Sequence, residues 1–258
     1  KLKEKGATDN INSLDTLGRS PLFYAYASGK INIAEKLKTA KNYNNDEDNA
    51  EGDINMRDDR GETPLFFAYV GGNFTAADIL IKNGANTDIN TPNKLGRTPL
   101  FVVYLFGTLA SLELAKKLKA KGAKGHINMT DDDGNKPLLI AYSYGNFEAV
   151  EILQNAKKYG DENNAIGHIN MINLMFQSPI FLTYARGDIE TAKKLRIEGA
   201  NGDINTCDIE GRAPLFIAYT TCAFGAVKNL KNAIFCFKDK CNAIGGINMR
   251  TKLGRTPV

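Results

Sequence analysis

An Ile-Asn pair recurs in one register along the chain, at Ile11, Ile54, Ile89, Ile127, Ile169, Ile204 and Ile247, at spacings of 43, 35, 38, 42, 35 and 43 residues. Self-similarity at this period means a stack of small supersecondary units, because one such unit cannot bury its apolar face alone. Each pair leads into a proline signature: Ser20-Pro21-Leu22, Thr63-Pro64-Leu65, Thr98-Pro99-Leu100, Lys136-Pro137-Leu138, Ser178-Pro179-Ile180 and Ala213-Pro214-Leu215. A seventh starts at Thr256-Pro257-Val258. Ser or Thr before Pro predicts a helix start: the hydroxyl accepts from an orphan N–H, and proline at the first helical position has no N–H to leave unpaired. Lys136 and Ala213 cannot cap in this way, so their helices should begin about 1 kcal/mol less securely.

Each signature opens a short first helix that ends at a glycine turn: Gly29, Gly71-Gly72, Gly107, Gly145 and Gly187. In the sixth repeat Cys222 to Gly225 replaces that turn. A second helix follows, with apolar residues at helical spacing such as Ala149, Val150, Ile152 and Leu153. Gly84-Ala85, Gly122-Ala123 and Gly199-Ala200 close it, since glycine accepts the left-handed backbone of a helix stop.

Taken together, these repeats resemble the ankyrin-repeat family, and Asn55 to Ala68, with Asp58, Gly61 and Thr63-Pro64-Leu65, follows its pattern closely. The resemblance covers essentially the whole chain. It implies an all-α solenoid of helix-turn-helix repeats with β-hairpin fingers, full repeats beginning at residues 11, 54, 89, 127, 169 and 204, the tail of an earlier repeat over 1–10 and a truncated one over 247–258. Both ends fall inside a repeat, so a fragment of a longer array is expected. The repeats average about 39 residues against the family's 33. Tyr43 to Asp53 and Gly160 to His168 read as surface loops. In the third repeat the surplus is expected at Leu105 to Ser111, between the helices. Phe23, Phe66, Phe101, Leu139, Phe181 and Phe216 stand where the family carries a histidine.

Chemistry is hard to assemble from these residues. A net charge of +4 is too mild for a nucleic-acid partner. No apolar run approaches the length of a membrane span, so no direct membrane insertion is expected. His126 and His168 precede two Ile-Asn pairs, where Asp53, Asp88 and Asp203 stand in other repeats, and they read as surface residues. The four cysteines, Cys207, Cys222, Cys236 and Cys241, suit reduced thiols better than staples or a metal site. Asp131-Asp132-Asp133-Gly134 reads as a charged turn, with no closing Glu for a calcium loop. Neither a phosphate-cradling loop nor a nucleophile elbow occurs. A non-enzyme without cofactor or metal is expected. A cytoplasmic setting is expected, with the cytoskeleton or the cytosolic region of a membrane protein as specific versions of it.

The resemblance implies a protein-protein interaction module, a scaffold or adaptor, whose partners meet the fingers and first helices. A structural component of a large assembly, or the recognition arm of an enzyme or channel, are the alternatives. The matching positions are Leu14 and Leu17, with Arg19, in the first repeat, and Arg57 and Arg60, with Glu62, in the second. Lys94, Leu95, Leu105 and Phe106 follow in the third, and Asp132, Asp133 and Tyr144, with Asn135 and Ser143, in the fourth. The fifth offers Ile172, Leu174 and Met175, and the sixth Ile209 and Glu210. The fifth finger, Met171 to Phe176, is apolar where a tip is usually polar, and Phe176 replaces the turn glycine. Arg19, Arg97, Arg212 and Arg255 form a column that could face a partner, and the lysines of the second helices, such as Lys116, Lys117, Lys119 and Lys121, could meet an acidic one.

Tyr26, Tyr69, Tyr104, Tyr142, Tyr184 and Tyr219 recur on the first helices, where the family usually has alanine. A buried tyrosine needs a partner for its hydroxyl, so this ladder is expected to replace some of the tying lost with histidine. Replacing Tyr142 by Phe should cost about 1 kcal/mol, and an unchanged thermal melting curve would refute the role.

Overall fold

The signature prolines and the turn glycines divide the chain into paired helices. The computed structural model describes residues 11–40, 49–221 and 223–231. In chain order these carry α1 (Pro21–Ala27), α2 (Ile31–Lys38), α3 (Pro64–Val70), α4 (Phe74–Lys82), α5 (Pro99–Leu105) and α6 (Leu109–Ala120). There follow α7 (Pro137–Ser143), α8 (Phe147–Gln154), a 3-10 turn (Ala156–Tyr159), α9 (Pro179–Ala185), α10 (Ile189–Ile197), α11 (Pro214–Thr220) and α12 (Phe224–Lys231). Helices this short are marginal alone in water, so packing must hold them.

First helices pack on the second helices of their own repeats: α1 on α2, α3 on α4, α7 on α8, α9 on α10 and α11 on α12. They also pack on neighbouring first helices: α1 on α3, α7 on α9 and α9 on α11. The described residues form two compact units, one drawn from Lys1–Val103 and Leu114–Lys124, the other from Tyr104–Glu113 and Gly125–Val258. Each has its own apolar core. Leu22, Phe23, Leu65 and Leu80 are buried in the first, and Leu112, Leu138, Leu139, Phe181 and Leu195 in the second. Phe23, Phe66, Phe101, Leu139, Phe181 and Phe216 are all core residues, each contributing about 1.5–3 kcal/mol by burial.

The caps follow the predicted chemistry. Ser20, Thr63, Thr98 and Ser178 hydroxyls accept from the N–H groups of Phe23, Phe66, Phe101 and Phe181. Lys136 and Ala213 make no side-chain cap. The turn glycine is needed twice over at Gly107 and Gly187, whose φ angles are 56° and 71°. A Cβ on Gly107 would lie 2.2 Å from the Ala149 Cβ, and one on Gly187 would lie 2.4 Å from the Ala226 Cα. Glycine thus sets both the turn and the approach of the next repeat's second helix.

Three expectations change. The third repeat has the same three-residue turn as its neighbours, Phe106 to Thr108, and its surplus lies in the longer helix α6. Thr108 and Ser111 exchange backbone and hydroxyl bonds at its start, a capping box built from two hydroxyls. The loop after α8 is only partly a surface loop, because Ala156, Asp161 and Ala165 are buried. Finally, no β-strand occurs among the described residues, and the finger segments are tight turns.

In the first and fourth repeats the extra length is absorbed at one place. The N–H groups of Ala50, Ala85, Ala123, Ala165 and Ala200 donate to the carbonyls of Leu37, Leu80, Leu118, Leu153 and Leu195. The extra residues of the first and fourth repeats lie between these bonded partners. The Ile-Asn asparagines clamp the chain on both sides of each of these alanines. Asn12, Asn55, Asn90, Asn128 and Asn170 donate from Nδ2 to the carbonyls of Asn49, Gly84, Gly122, Asn164 and Gly199. Their Oδ1 atoms accept from the N–H groups of Glu51, Asn86, Lys124, Ile166 and Asn201. Each clamp therefore reaches a fixed place ahead of the next Ile-Asn pair, whatever the loop length.

Two tyrosines of the ladder make hydroxyl contacts of the expected kind. Tyr104 is fully buried and donates to Asp161 Oδ2 at 2.7 Å. Burial, together with that carboxylate, holds its hydroxyl protonated well above the ordinary tyrosine range. The Tyr142 hydroxyl accepts from Gln154 Nε2 at 3.4 Å, and Gln154 also donates to the Gly167 carbonyl.

The clamp needs one donor and one acceptor on the same group, which the asparagine amide supplies and a carboxylate does not. Asn128→Asp would remove the donor and set a carboxylate oxygen against the Asn164 carbonyl. The expected loss is about 1–3 kcal/mol, read as a lower urea midpoint; an unchanged midpoint would show that the clamp contributes nothing.

Candidate functional site

Each finger is built around an Asx side chain, exposed at Asp15 in the first and buried in the other five. Asp15, Asp58, Asn93, Asp131, Asn173 and Asp208 each use Oδ1 to accept two backbone N–H groups, two and four residues on. The backbone N–H of each donates to the carbonyl four residues on, as Asp58 does to Glu62. This closes a loop with no ladder, which is why hairpin strands do not form. Asp131 is accordingly a buried structural acceptor, and only Asp132 and Asp133 of that acidic run are exposed.

Side chains then join finger to finger. In the first unit, Arg19 is buried, donates from Nε to Asp58 Oδ2 at 2.8 Å, reaches Glu62, and lies over the Phe67 ring at 4.7 Å. Glu62 in turn accepts from Asn93 Nδ2. In the second unit, Asn173 Nδ2 donates to Asn135 Oδ1, Gln177 Nε2 to Asp208 Oδ2, and Arg212 Nε to the same Asp208 oxygen. Arg19, Glu62 and Asn135 therefore hold the stack and do not face a partner. Buried, paired charge of this kind is costly to break on one side only. Arg97 is half-buried against the Phe101 ring, and Arg255 lies outside the described residues. The arginine column is thus turned to internal work where it can be seen.

The remaining predicted positions are mostly open. In the first unit, Leu14, Arg57, Arg60, Lys94 and Leu95 are exposed and Leu17 is half-buried. Arg57 donates to the Gly61 carbonyl and Lys94 Nζ to that of Asp59. In the second unit, Phe106, Asp132, Asp133, Tyr144 and Ile209 are exposed, while Leu105, Met175 and Glu210 are half-buried. Ser143 is buried; its carbonyl accepts from Thr183 Oγ1 and from the guanidinium of Arg186, which lies 4.2 Å from the Tyr144 ring.

The apolar fifth finger projects outward. Ile172 is 52% exposed, Leu174 68% and Phe176 55%. Its backbone is still in register, with the Leu174 N–H donating to the Asp133 carbonyl and the Ile209 N–H to that of Met175, each at 3.0 Å. Phe176 has a φ of 59°, whereas the equivalent Gly18, Gly61, Gly96, Gly134 and Gly211 lie between 71° and 78°. It is the only described non-glycine residue with positive φ. A side chain there costs about 1–2 kcal/mol, and an exposed ring recovers little of that by burial.

The other reactive groups have structural settings. His126 and His168 are exposed, and each Nδ1 accepts the N–H two residues on, at 3.1 Å, as the Asp53, Asp88 and Asp203 carboxylates do in sister repeats. Cys207 is an exposed free thiol; Cys222, Cys236 and Cys241 lie outside the described residues. Among the described residues no group of three His, Cys, Asp or Glu side chains is placed to hold a metal ion, and no helix is long and apolar enough to cross a membrane.

The Asx acceptors and the asparagine clamps carry a sequence signal beyond the residues named above: each recurs at a constant offset from the repeat isoleucine. No protein-family model matches the chain, and no curated protein matches it either.

The strain at Phe176 is separable from its ring. Phe176→Gly and Phe176→Ala both delete the ring, and the glycine variant should be about 1 kcal/mol the more stable. Chemical denaturation measures the difference, and an alanine variant of equal or greater stability would remove the strain argument.

Proposed function

We propose that the chain is a non-catalytic protein-interaction module, a divergent ankyrin-type array that holds partners on its finger tips and the open ends of its first helices. The supporting observation is the fifth finger. Ile172, Leu174 and Phe176 stay exposed while the finger's backbone remains bonded to both neighbours. Contiguous apolar surface on a folded unit tends to mark a contact site. A strained aromatic that gains little inside the molecule is best explained by a gain outside it. Leu14, Leu95, Phe106, Tyr144 and Ile209, all exposed, are further contact positions in this reading, with Arg57, Arg60, Lys94, Asp132 and Asp133 supplying charge.

The test is the double variant Leu174→Asp/Met175→Asp. The expected result is loss of partner binding, measured on an immobilised partner, with an unchanged circular dichroism spectrum and melting temperature. Unfolding of the variant would mean that the finger serves the fold, and full retention of binding would overturn the proposal.

A further inference from the structure

The charge around the apolar finger is one-sided. Leu174 sits directly over the fourth finger: a Cβ on Gly134 would lie 2.4 Å from the Leu174 Cγ. The backbone bonds Leu174 to Asp133 and Ile209 to Met175 make the fourth, fifth and sixth tips one continuous row. Along it, exposed Ile172, Leu174, Phe176 and Ile209 are bordered by exposed Asp132 and Asp133 on one side and Glu210 on the other. Glu210 is answered by Arg212 at 3.2 Å. Among the described residues no cation pairs with the carboxylate of Asp132 or Asp133, whose neighbour Asp131 is spent inside the turn. The row thus presents apolar area with uncompensated negative charge at one edge.

Resting on the reading above, we infer that this row takes a partner segment of apolar side chains flanked by lysine or arginine: the apolar groups cover Leu174 and Phe176, and the cation meets Asp132 and Asp133. Complementary charge at the rim of an apolar contact steers encounter and rejects partners of the wrong sign. An acidic segment would be repelled at the fourth finger, and so would an acidic lipid surface.

Two short labelled peptides of matched length, one built from Leu and Lys and the other from Leu and Glu, can be titrated against the full chain by fluorescence anisotropy. The Leu-Lys peptide should bind, and more weakly as salt is raised. Asp132→Asn/Asp133→Asn should weaken it by about tenfold, and Leu174→Asp/Met175→Asp should abolish binding. Should that variant misfold, Ile172→Asp replaces it. Failure of the Leu-Lys peptide to bind overturns the inference. Equal binding of the Leu-Glu peptide, or unchanged affinity in the Asn variant, overturns the charge assignment while leaving finger docking in place. Unchanged binding in folded Leu174→Asp/Met175→Asp overturns both.

Discussion

Loops that join stacked short helices must satisfy their backbone polar groups, and here side-chain amides and carboxylates take the place that a strand ladder would fill. An unpaired buried N–H or C=O costs as much as a lost hydrogen bond, and the second to fifth repeats spend at least half of their length outside helices. The Asx acceptor at each finger gathers two N–H groups, and the asparagine after each isoleucine bridges a carbonyl and an N–H ahead of the next repeat. Helix packing, glycine turns and exposed tips all presuppose that these loops are held. The finger row keeps its register through single backbone bonds between neighbours, so it depends on the Asx side chains for its shape.

Much of the helical architecture was legible because proline, hydroxyl and glycine act locally. Pro21, Pro64, Pro99, Pro137, Pro179 and Pro214 begin helices, and four of the six caps could be assigned from Ser or Thr alone. The third repeat misled because its cap, Thr108 with Ser111, lacks the Glu or Gln that usually marks a capping box, so the surplus was assigned to the turn and not to helix α6. Long-range partners were less accessible. Arg19 looks like a surface column residue until Asp58 and Glu62, a whole repeat away, are brought beside it. Asp161 looks like a loop carboxylate until Tyr104 is buried against it.

The candidate surface divides along the same line. That the fifth finger is apolar is written in Ile172 to Phe176; that it points outward is a property of packing. Phe176 could have folded back onto the stack, and a half-buried Met175 does so in part. Its left-handed backbone follows from the loop geometry shared with five glycines. Substituting phenylalanine there changes the surface chemistry while the loop geometry is retained. Surface chemistry in such an array can thus change at tips whose geometry is maintained by residues behind them.

The bond from each second-helix leucine carbonyl to the alanine ahead of the next repeat has a consequence for how such chains can change. Residues can be added between the two partners without breaking that bond, since lengthening a flexible loop costs only about 0.6 kcal/mol per doubling. The chain uses this freedom unequally: Leu80 and Ala85 close over a short turn, whereas Leu153 and Ala165 close over a 3-10 turn that also delivers Asp161 to Tyr104. The interval is a docking port in the architecture, open to new sequence without renegotiating the phase of the repeats on either side, and the fourth repeat illustrates an insertion that has acquired a contact of its own.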